Sequence, residues 1–367
     1  MQDQQLLYQI AMTMVPGVGN ILGKKLVIKS GSAEAVFREK KQLLQKIPRA
    51  GQAILDALSQ KDVFIRAEKQ LEFIQRYRIS TLFFQDPDYP RRLKNCFDGP
   101  MLIYSKGNAD LNAAKIIGIV GTRNATPYGK DFCASFLGCI KEYNPLIISG
   151  LAFGIDSCAH RLALENGLQT IGVLGHGLDR IYPQLNKSLA ERMIMQGGLI
   201  TEFPSETRPD RENFPMRNRI IAGLCDAIVV VEAAKKGGAL ITADIANTYN
   251  RDVFAVPGRI GDLYSEGTNF LIKTNKAALI QSAEDLIYLM NWDMKERRQQ
   301  PNQRKIYIEM TGEEEALVNL LTEKGETGID ELCQGSGFSM SKVSSALLNL
   351  EFEGIVKSLP GKVYDLQ

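Results

Sequence analysis

A doubly wound, mostly parallel α/β sheet is the fold predicted for the centre of this chain, residues 81–292. The β-branched runs IIGIVG, PLIISG, TIGVLG, GLITEF, DAIVVVEA and DVFAVPG follow one another there. Amphipathic stretches such as YGKDFCASFLGCIKEY and DSCAHRLALENG separate them. Continuously apolar runs suit strands buried on both faces, and strands alternating with helices build a parallel sheet covered on both sides. The length, 367 residues, exceeds a comfortable single core, so flanking domains are expected.

The elements follow in order. Residues 1–80 read as short helices broken by turns. In MVPGVGNILGKKLV, at 14–27, a PGVG turn joins two apolar helical patterns. Such a turn leaves backbone N–H groups at the start of the second helix, able to hold a phosphate, which is the physics of a helix-hairpin-helix. A degraded second copy is read at 47–58, IPRAGQAILDAL. A packing unit without a ligand explains both segments equally well. The proline-punctuated segment at 82–108 leads into the sheet, with LIYSKG as an early strand. After Trp292 the composition turns polar (DMKERRQQPNQRK), giving a charged linker over 293–310. Residues 311–367 then carry three helical patterns, EEEALVNLLTEKG, IDELCQGSG and FSMSKVSSALLNLEFEG, and a terminal hairpin, IVKSLPGKVYDL. Three helices and a hairpin make a winged helix. Its third helix carries Lys342 and little else basic, which favours an auxiliary or partner role over DNA reading.

Composition bounds the function. Hydrophobic residues make up 44% and charged residues 23%, and the net charge is only +2, so any nucleic-acid binding must come from local basic clusters. The N-terminus MQDQQLLYQI lacks a basic segment followed by an apolar run, and no run reaches membrane-span length, so a cytoplasmic protein without a membrane partner is expected. Six cysteines include no CxxC pair, and the two histidines form no ligand cluster; neither metal nor cofactor is expected.

In doubly wound sheets ligands bind where strands end and helices begin. Four such loops are rich in glycine and hydroxyl groups: IVGTRNATPYG, SGLAFGIDSCAH, LGHGLDRIYP and EAAKKGGALITAD. Glycine lets backbone approach a ligand closely, and helix N-termini offer N–H donors, so several such loops on one rim make an anion site. GHGLDR carries Arg180 where a dinucleotide fingerprint needs its third glycine, and there is no GxxxxGK[ST] loop. Arg123 follows the first parallel strand directly. In RPDRENFPMRNRIIAGL, Arg208, Arg211, Arg217 and Arg219 surround Phe214. Arginine forks suit phosphate and an aromatic face suits an unpaired base, so the combination points to single-stranded nucleic acid. The competing role for these arginines is ion pairing with Glu202, Glu206, Glu212 or Glu232, expected above all for Arg219, which sits in an apolar helix face. Ser149, Asp156 and His160 contain the parts of a hydrolase, but GxSxG is absent. Asp156 is expected to cap the helix after SGLAFG and to meet His160 at i,i+4.

Taken in order, YPRRLKNCFDGPMLIYSKG, IVGTRNATPYG, SGLAFGIDSCAH, GHGLDRIYP, FPMRNRIIAGL, VVVEA, GGALITAD and RDVFAVPG resemble the DprA/Smf family of DNA-processing proteins over about 85–290. With the modules on either side the likeness covers nearly the whole chain. It implies an extended Rossmann-like domain between a helix-hairpin-helix (SAM-like) domain and a winged helix. It also implies a non-enzymatic, cytoplasmic single-stranded DNA binder that protects DNA entering in natural transformation, helps load RecA and works as a homodimer through the Rossmann-like domain. By position, the family's phosphate-gripping loop is Gly121, Thr122 and Arg123. Arg211 is the basic residue before the next motif, Phe214 the stacking aromatic, and Arg217, Asn218 and Arg219 complete that motif. Ser149, Gly150 and Gly154 match the second loop, and Gly237 and Gly238 the fourth. Phe153 stands where the family carries an arginine, exchanging a charge for a possible stacking face, and Gly237 and Ala239 replace two hydroxyl residues.

Two other readings are weighed. A nucleoside-monophosphate-cleaving hydrolase would use Glu232 as its acid, but its PGGxGT loop does not match KKGGALITAD. A protein-interaction module with a vestigial rim finds its support in Phe153.

Overall fold

The apolar runs form strands because their β-branched side chains fit a pleated surface covered on both sides. The computed structural model describes residues 2–39, 47–48, 51–292 and 310–367. The expected linker at 293–310 lies, except for Met310, outside these residues, as do Arg49 and Ala50 of the second hairpin copy. Among the described residues nine strands form the main sheet: β1 Ser80–Phe83, β2 Leu102–Gly107, β3 Ile116–Val120, β4 Leu146–Ser149, β5 Thr170–Val173, β6 Gly197–Thr201, β7 Ala227–Val230, β8 Asp252–Ala255 and β9 Ala278–Leu279. Their order is β1-β2-β6-β5-β4-β3-β7-β8-β9. From β6 to β9 every pair is parallel, while β1 and β2 add to the β6 edge antiparallel. The chain winds outward from β3 through β4, β5 and β6, then returns to lay β7 and β8 on the other side of β3. That reversal opens a crevice at the carboxyl ends of β3, β4 and β7.

Apolar helix faces cover both sides of the sheet. One cluster holds Ile117, Phe136, Ile147, Ala159 and Val229. The other runs from Ile10, Leu26 and Leu55 through Phe83 and Ile103 to Ile220 and Val230, so the N-terminal helices share a core with the sheet. In that module, helices Gln2–Met14 and Asn20–Ser30 flank the PGVG turn, where Gly17 takes φ +79°. Among the described residues, no helix is long and apolar enough to cross a membrane.

The last domain is a winged helix. Helices Gly312–Lys324, Ile329–Ser336 and Met340–Phe352 pack around Leu317, Leu332 and Leu347. β11 (Val356–Leu359) and β12 (Val363–Leu366) form the wing, with β10 (Thr327–Gly328) beside β12. A capping box at Thr311 and Glu314 starts its first helix. The domain docks at the amino ends of β7 and β8, away from the crevice. There Asp330 takes a 2.5 Å ion pair from Arg251, whose side chain is 3% exposed, and a 2.9 Å hydrogen bond from Asn95.

Candidate nucleic-acid interface

Four loops leave the carboxyl ends of the central strands and meet at the crevice. The loop after β3 carries Gly121, Thr122 and Arg123, and it is tied down through both backbone groups of Thr122. The Thr122 N–H donates to Glu232 O at 2.8 Å, and Thr122 O accepts the Ile155 N–H at 3.1 Å. Gly154 must be glycine: its φ is +82°, and a Cβ there would stand 2.2 Å from Thr122 O. This contact presses the second loop against the first and leaves Arg123 exposed at the mouth.

Beneath the mouth lie a buried guanidinium and a buried carboxyl, each of which feels the other's charge. Arg217, from helix Asn213–Leu224, donates through Nη1 to Val173 O at 2.5 Å. Asp156 lies alongside, accepting the Ala152 N–H at 3.4 Å. Both side chains cross directly over Gly150, where a Cβ would come within 2.3 Å of Arg217 Nη1 and 2.4 Å of Asp156 Oδ2. Burial raises the Asp156 carboxyl above its ordinary range, against the pull of Arg217, and lowers the Arg217 guanidinium. The Nε of Arg217 is buried without a partner among the described residues. Phe214 lies close to both guanidiniums, with Arg123 5.7 Å and Arg217 6.0 Å from its ring centroid.

Two adjoining cavities share Arg123, Ala152, Phe214 and Arg217. The larger, about 370 Å³, is lined by Thr122, Lys236, Gly237, Gly238 and Tyr264. Helix Gly238–Thr248 begins there without a side-chain cap, leaving its first N–H groups to a ligand. The smaller is walled by Phe153, Tyr182 and Phe214. The cleft can therefore hold phosphate beside an aromatic surface.

The structure separates the sequence-derived residues by role. Gly121, Thr122, Arg123, Phe153, Phe214, Arg217, Gly237 and Gly238 line the cavities. Arg211 is exposed on the turn before the Phe214 helix and lines neither. Ser149 lies below the rim: it is fully buried and donates its hydroxyl to Ile119 O at 2.5 Å. Asn218 borders the larger cavity but uses its amide to tie Gly238 O at 3.2 Å, joining two helices. Arg219 faces away from the cavities, donating to Asp98 O at 2.6 Å and pairing with Glu202, the acid pairing expected of it.

Two local expectations are corrected. Asp156 does not cap its helix; Gly154 takes that position and Asp156 turns back toward the loop and Arg217. His160 does not use Asp156 either. Its Nε2 meets Gly150 O at 2.5 Å and its Nδ1 meets Thr170 Oγ1 at 2.6 Å. A carbonyl only accepts, so Nε2 carries the proton, and the Thr170 Oγ1 that meets Nδ1 also reaches Ile147 O at 3.0 Å. With both ring nitrogens committed and burial lowering its pKa to about 4, His160 holds the Gly150 peptide rather than Ser149. Glu232, the acid of the hydrolase reading, is also committed: it accepts the Thr126 N–H at 3.0 Å and the Thr126 hydroxyl at 2.5 Å.

Tyr182, Lys236 and Tyr264 also line the cavities and fall outside the sequence-derived set. Tyr182 could have been found as an aromatic in a glycine-rich rim loop. Lys236 lies in a loop already singled out, beside its glycines. Tyr264, whose OH accepts from Asn124 at 2.9 Å, arrives from a distant loop with no local signal.

The family described as DNA recombination-mediator protein A matches residues 80–291, and a DprA winged helix domain matches 300–362. The chain is 31% identical to Protein Smf of a Synechocystis strain, covering 99% of both chains. It is 36% identical to the DNA processing protein DprA of Bacillus subtilis over 73% of this chain and 91% of that one. Among solved structures, Streptococcus pneumoniae DprA superposes with TM-score 0.57 at 33% identity, covering 74% of this chain and 97% of that one. The Helicobacter pylori protein, described for its single-stranded DNA binding mode, superposes with TM-score 0.54 at 28% identity, covering 59% and 97%.

Proposed function

Because the chain belongs to the DNA recombination-mediator protein A family, we propose that it holds single-stranded DNA along the carboxyl-end rim of its sheet, without catalysing a reaction on it. The observation that carries this reading is the cluster of Arg123, Phe214 and Arg217 at the mouth of a glycine-lined cleft. Arg123 and Lys236 meet phosphate from the surface, Arg217 supplies positive charge from beneath, and the Gly237–Gly238 helix start donates backbone N–H groups. Phe214 presents a π face to an unpaired base, which every base can use. The single-stranded DNA binding named for the Helicobacter relative supports the same ligand.

Within this proposal the protein acts in the cytoplasm, protecting strands that enter in natural transformation and passing them to RecA for recombination. It works as a homodimer through the Rossmann-like domain. The short edge strand β9, with Leu279 44% and Phe270 51% exposed nearby, offers a second copy both unpaired backbone and apolar surface.

Fluorescence anisotropy with single- and double-stranded oligonucleotides at two salt concentrations tests the core of the reading. Single strands are expected to bind tightly and with salt sensitivity. Arg123→Ala and Arg211→Ala should each weaken binding and reduce the salt slope by about 0.7. Absence of single-strand binding at low salt overturns the reading. Faster RecA filament growth on a labelled strand in the protein's presence is the expected sign of handover, and unchanged growth counts against it.

A further inference from the structure

Behind the two rim loops, two cysteines on neighbouring helices meet. Cys133 lies midway along helix Pro127–Ile140, which follows the Arg123 loop. Cys158 lies in the first turn of helix Ile155–Glu165, which follows Gly154. Both are free thiols in one apolar cluster, within hydrogen-bonding reach of each other. Their settings differ. Cys158 is 7% exposed and Cys133 1%, so a small reagent meets Cys158 first. The Cys133 hydrogen bond, with Arg161 and Lys130 nearby, holds the Cys158 thiol below its ordinary range against the effect of burial. The helix N-terminus acts in the same direction. Cys133, bonded to Cys158, buried and near Glu232, is pushed up and keeps its proton. The other cysteines compete poorly. Burial raises Cys96, Cys225 and Cys333, and Cys139, though more exposed, gives its S–H to Glu284 at 3.2 Å.

We propose that Cys133 and Cys158 form a redox-sensitive modification site, where a hydroperoxide oxidises Cys158 and Cys133 then closes a disulfide between the two helices. In the first step the Cys158 sulfur attacks a peroxide oxygen. An S–O bond forms, the O–O bond breaks, and the leaving oxygen takes the thiol hydrogen away as an alcohol, or as water from hydrogen peroxide. In the second step the Cys133 sulfur attacks the Cys158 sulfur. The S–S bond forms, the S–O bond breaks, and the displaced hydroxide leaves as water with the Cys133 proton. The two thiols lose two electrons and the peroxide gains them. A disulfide holds its sulfurs only about 2 Å apart, closer than two thiols in contact, so the bridge draws the helices together. Both helix starts carry the rim: Thr126 caps one and is held by Glu232, and Gly154 of the other presses on Thr122 O. The shift therefore reaches Arg123, and oxidation weakens its hold on a strand. That last effect rests on the single-strand reading above; the thiol chemistry does not.

The full-length protein is treated with hydrogen peroxide, quenched with catalase, alkylated under denaturing conditions and mapped by peptide mass. Cys133 and Cys158 should be lost to alkylation together and appear in one linked peptide that dithiothreitol releases. Cys133→Ala should stop at a Cys158 sulfenic acid, trapped by dimedone, and Cys158→Ala should leave Cys133 reduced. A folded wild type that keeps both thiols open to alkylation, or oxidises Cys139 in their place, overturns the site. The oxidised wild type should bind single strands at least about tenfold more weakly and recover in dithiothreitol, while Cys158→Ala binds alike before and after peroxide. A linked peptide with unchanged affinity keeps the site and overturns its effect on the rim. If the reduced wild type binds no single strand, the single-strand reading falls, and the linked peptide alone decides the site.

Discussion

Replacing Gly154 by alanine tests how the rim is built. Gly154 holds φ +82° and ψ −127°, a conformation that costs an L-residue roughly 1–3 kcal/mol. The added Cβ would also stand 2.2 Å from Thr122 O and 2.5 Å from the Arg123 carbonyl carbon. Both are backbone atoms of a loop pinned through Thr122 to Glu232 and Ile155, so no side-chain rotation relieves the clash. Overpacking of this kind adds about 1–3 kcal/mol. Together the terms predict a loss of about 2–6 kcal/mol, and a mid-range loss of about 4 kcal/mol lowers Tm by about 8–16 °C. Arg123 moves with the displaced loop, so affinity for single strands should fall at least about tenfold. Gly138→Ala is the internal control: its Cβ meets nothing within 4 Å in the last turn of helix Pro127–Ile140, and it should gain about 0.5 kcal/mol. Calorimetry and anisotropy on both variants decide the matter. A Gly154→Ala protein that melts and binds as the wild type does would refute the claim that this glycine sets the position of Arg123.

Three further outcomes are expected. The folded His160 has a pKa of about 4 against an ordinary 6.5, so its neutral form stabilises the fold above pH 6.5 and that stability is lost as pH falls toward 4. The loss amounts to about 3 kcal/mol by pH 4, and denaturant unfolding of His160→Gln should show a correspondingly flatter acid limb. Arg219→Ala breaks a buried pair with Glu202 and should cost about 3–5 kcal/mol in unfolding experiments while the folded protein keeps its affinity for single strands. A loss of affinity without a loss of stability would place Arg219 in the interface instead. Asp330→Ala leaves Arg251 buried with backbone carbonyls but without its ion-pair carboxylate, so hydrogen exchange across helix Ile329–Ser336 should quicken; unchanged exchange would mean that the winged helix is held by other contacts.

The reach of the sequence followed the range of the forces involved. Strand runs at 116–121, 145–150, 170–175 and 226–233 were legible because burial on both faces leaves a local apolar signature. The winged helix was legible from helix patterns and a terminal hairpin, and the motif order carried the family. β1 and the two-residue β9 were not read as strands, since each is short and owes its place to a neighbour's edge. The site was legible as a set of loops but not as a geometry. Arg217 and Arg219 stand two positions apart in one helix, so they point in widely different directions. Nothing local says which one meets the cleft. Tertiary packing decided it: β5 supplies Val173 O for Arg217, while Glu202 and Asp98 claim Arg219. Ser149 sank below the rim because Ile119 O on the next strand takes its hydroxyl. The sequence by itself determined which chemistry gathers at the strand ends, because glycine, arginine and aromatic residues are properties of the chain. Only the tertiary structure decided which of those side chains face a ligand, because that depends on partners far away in sequence and close in space.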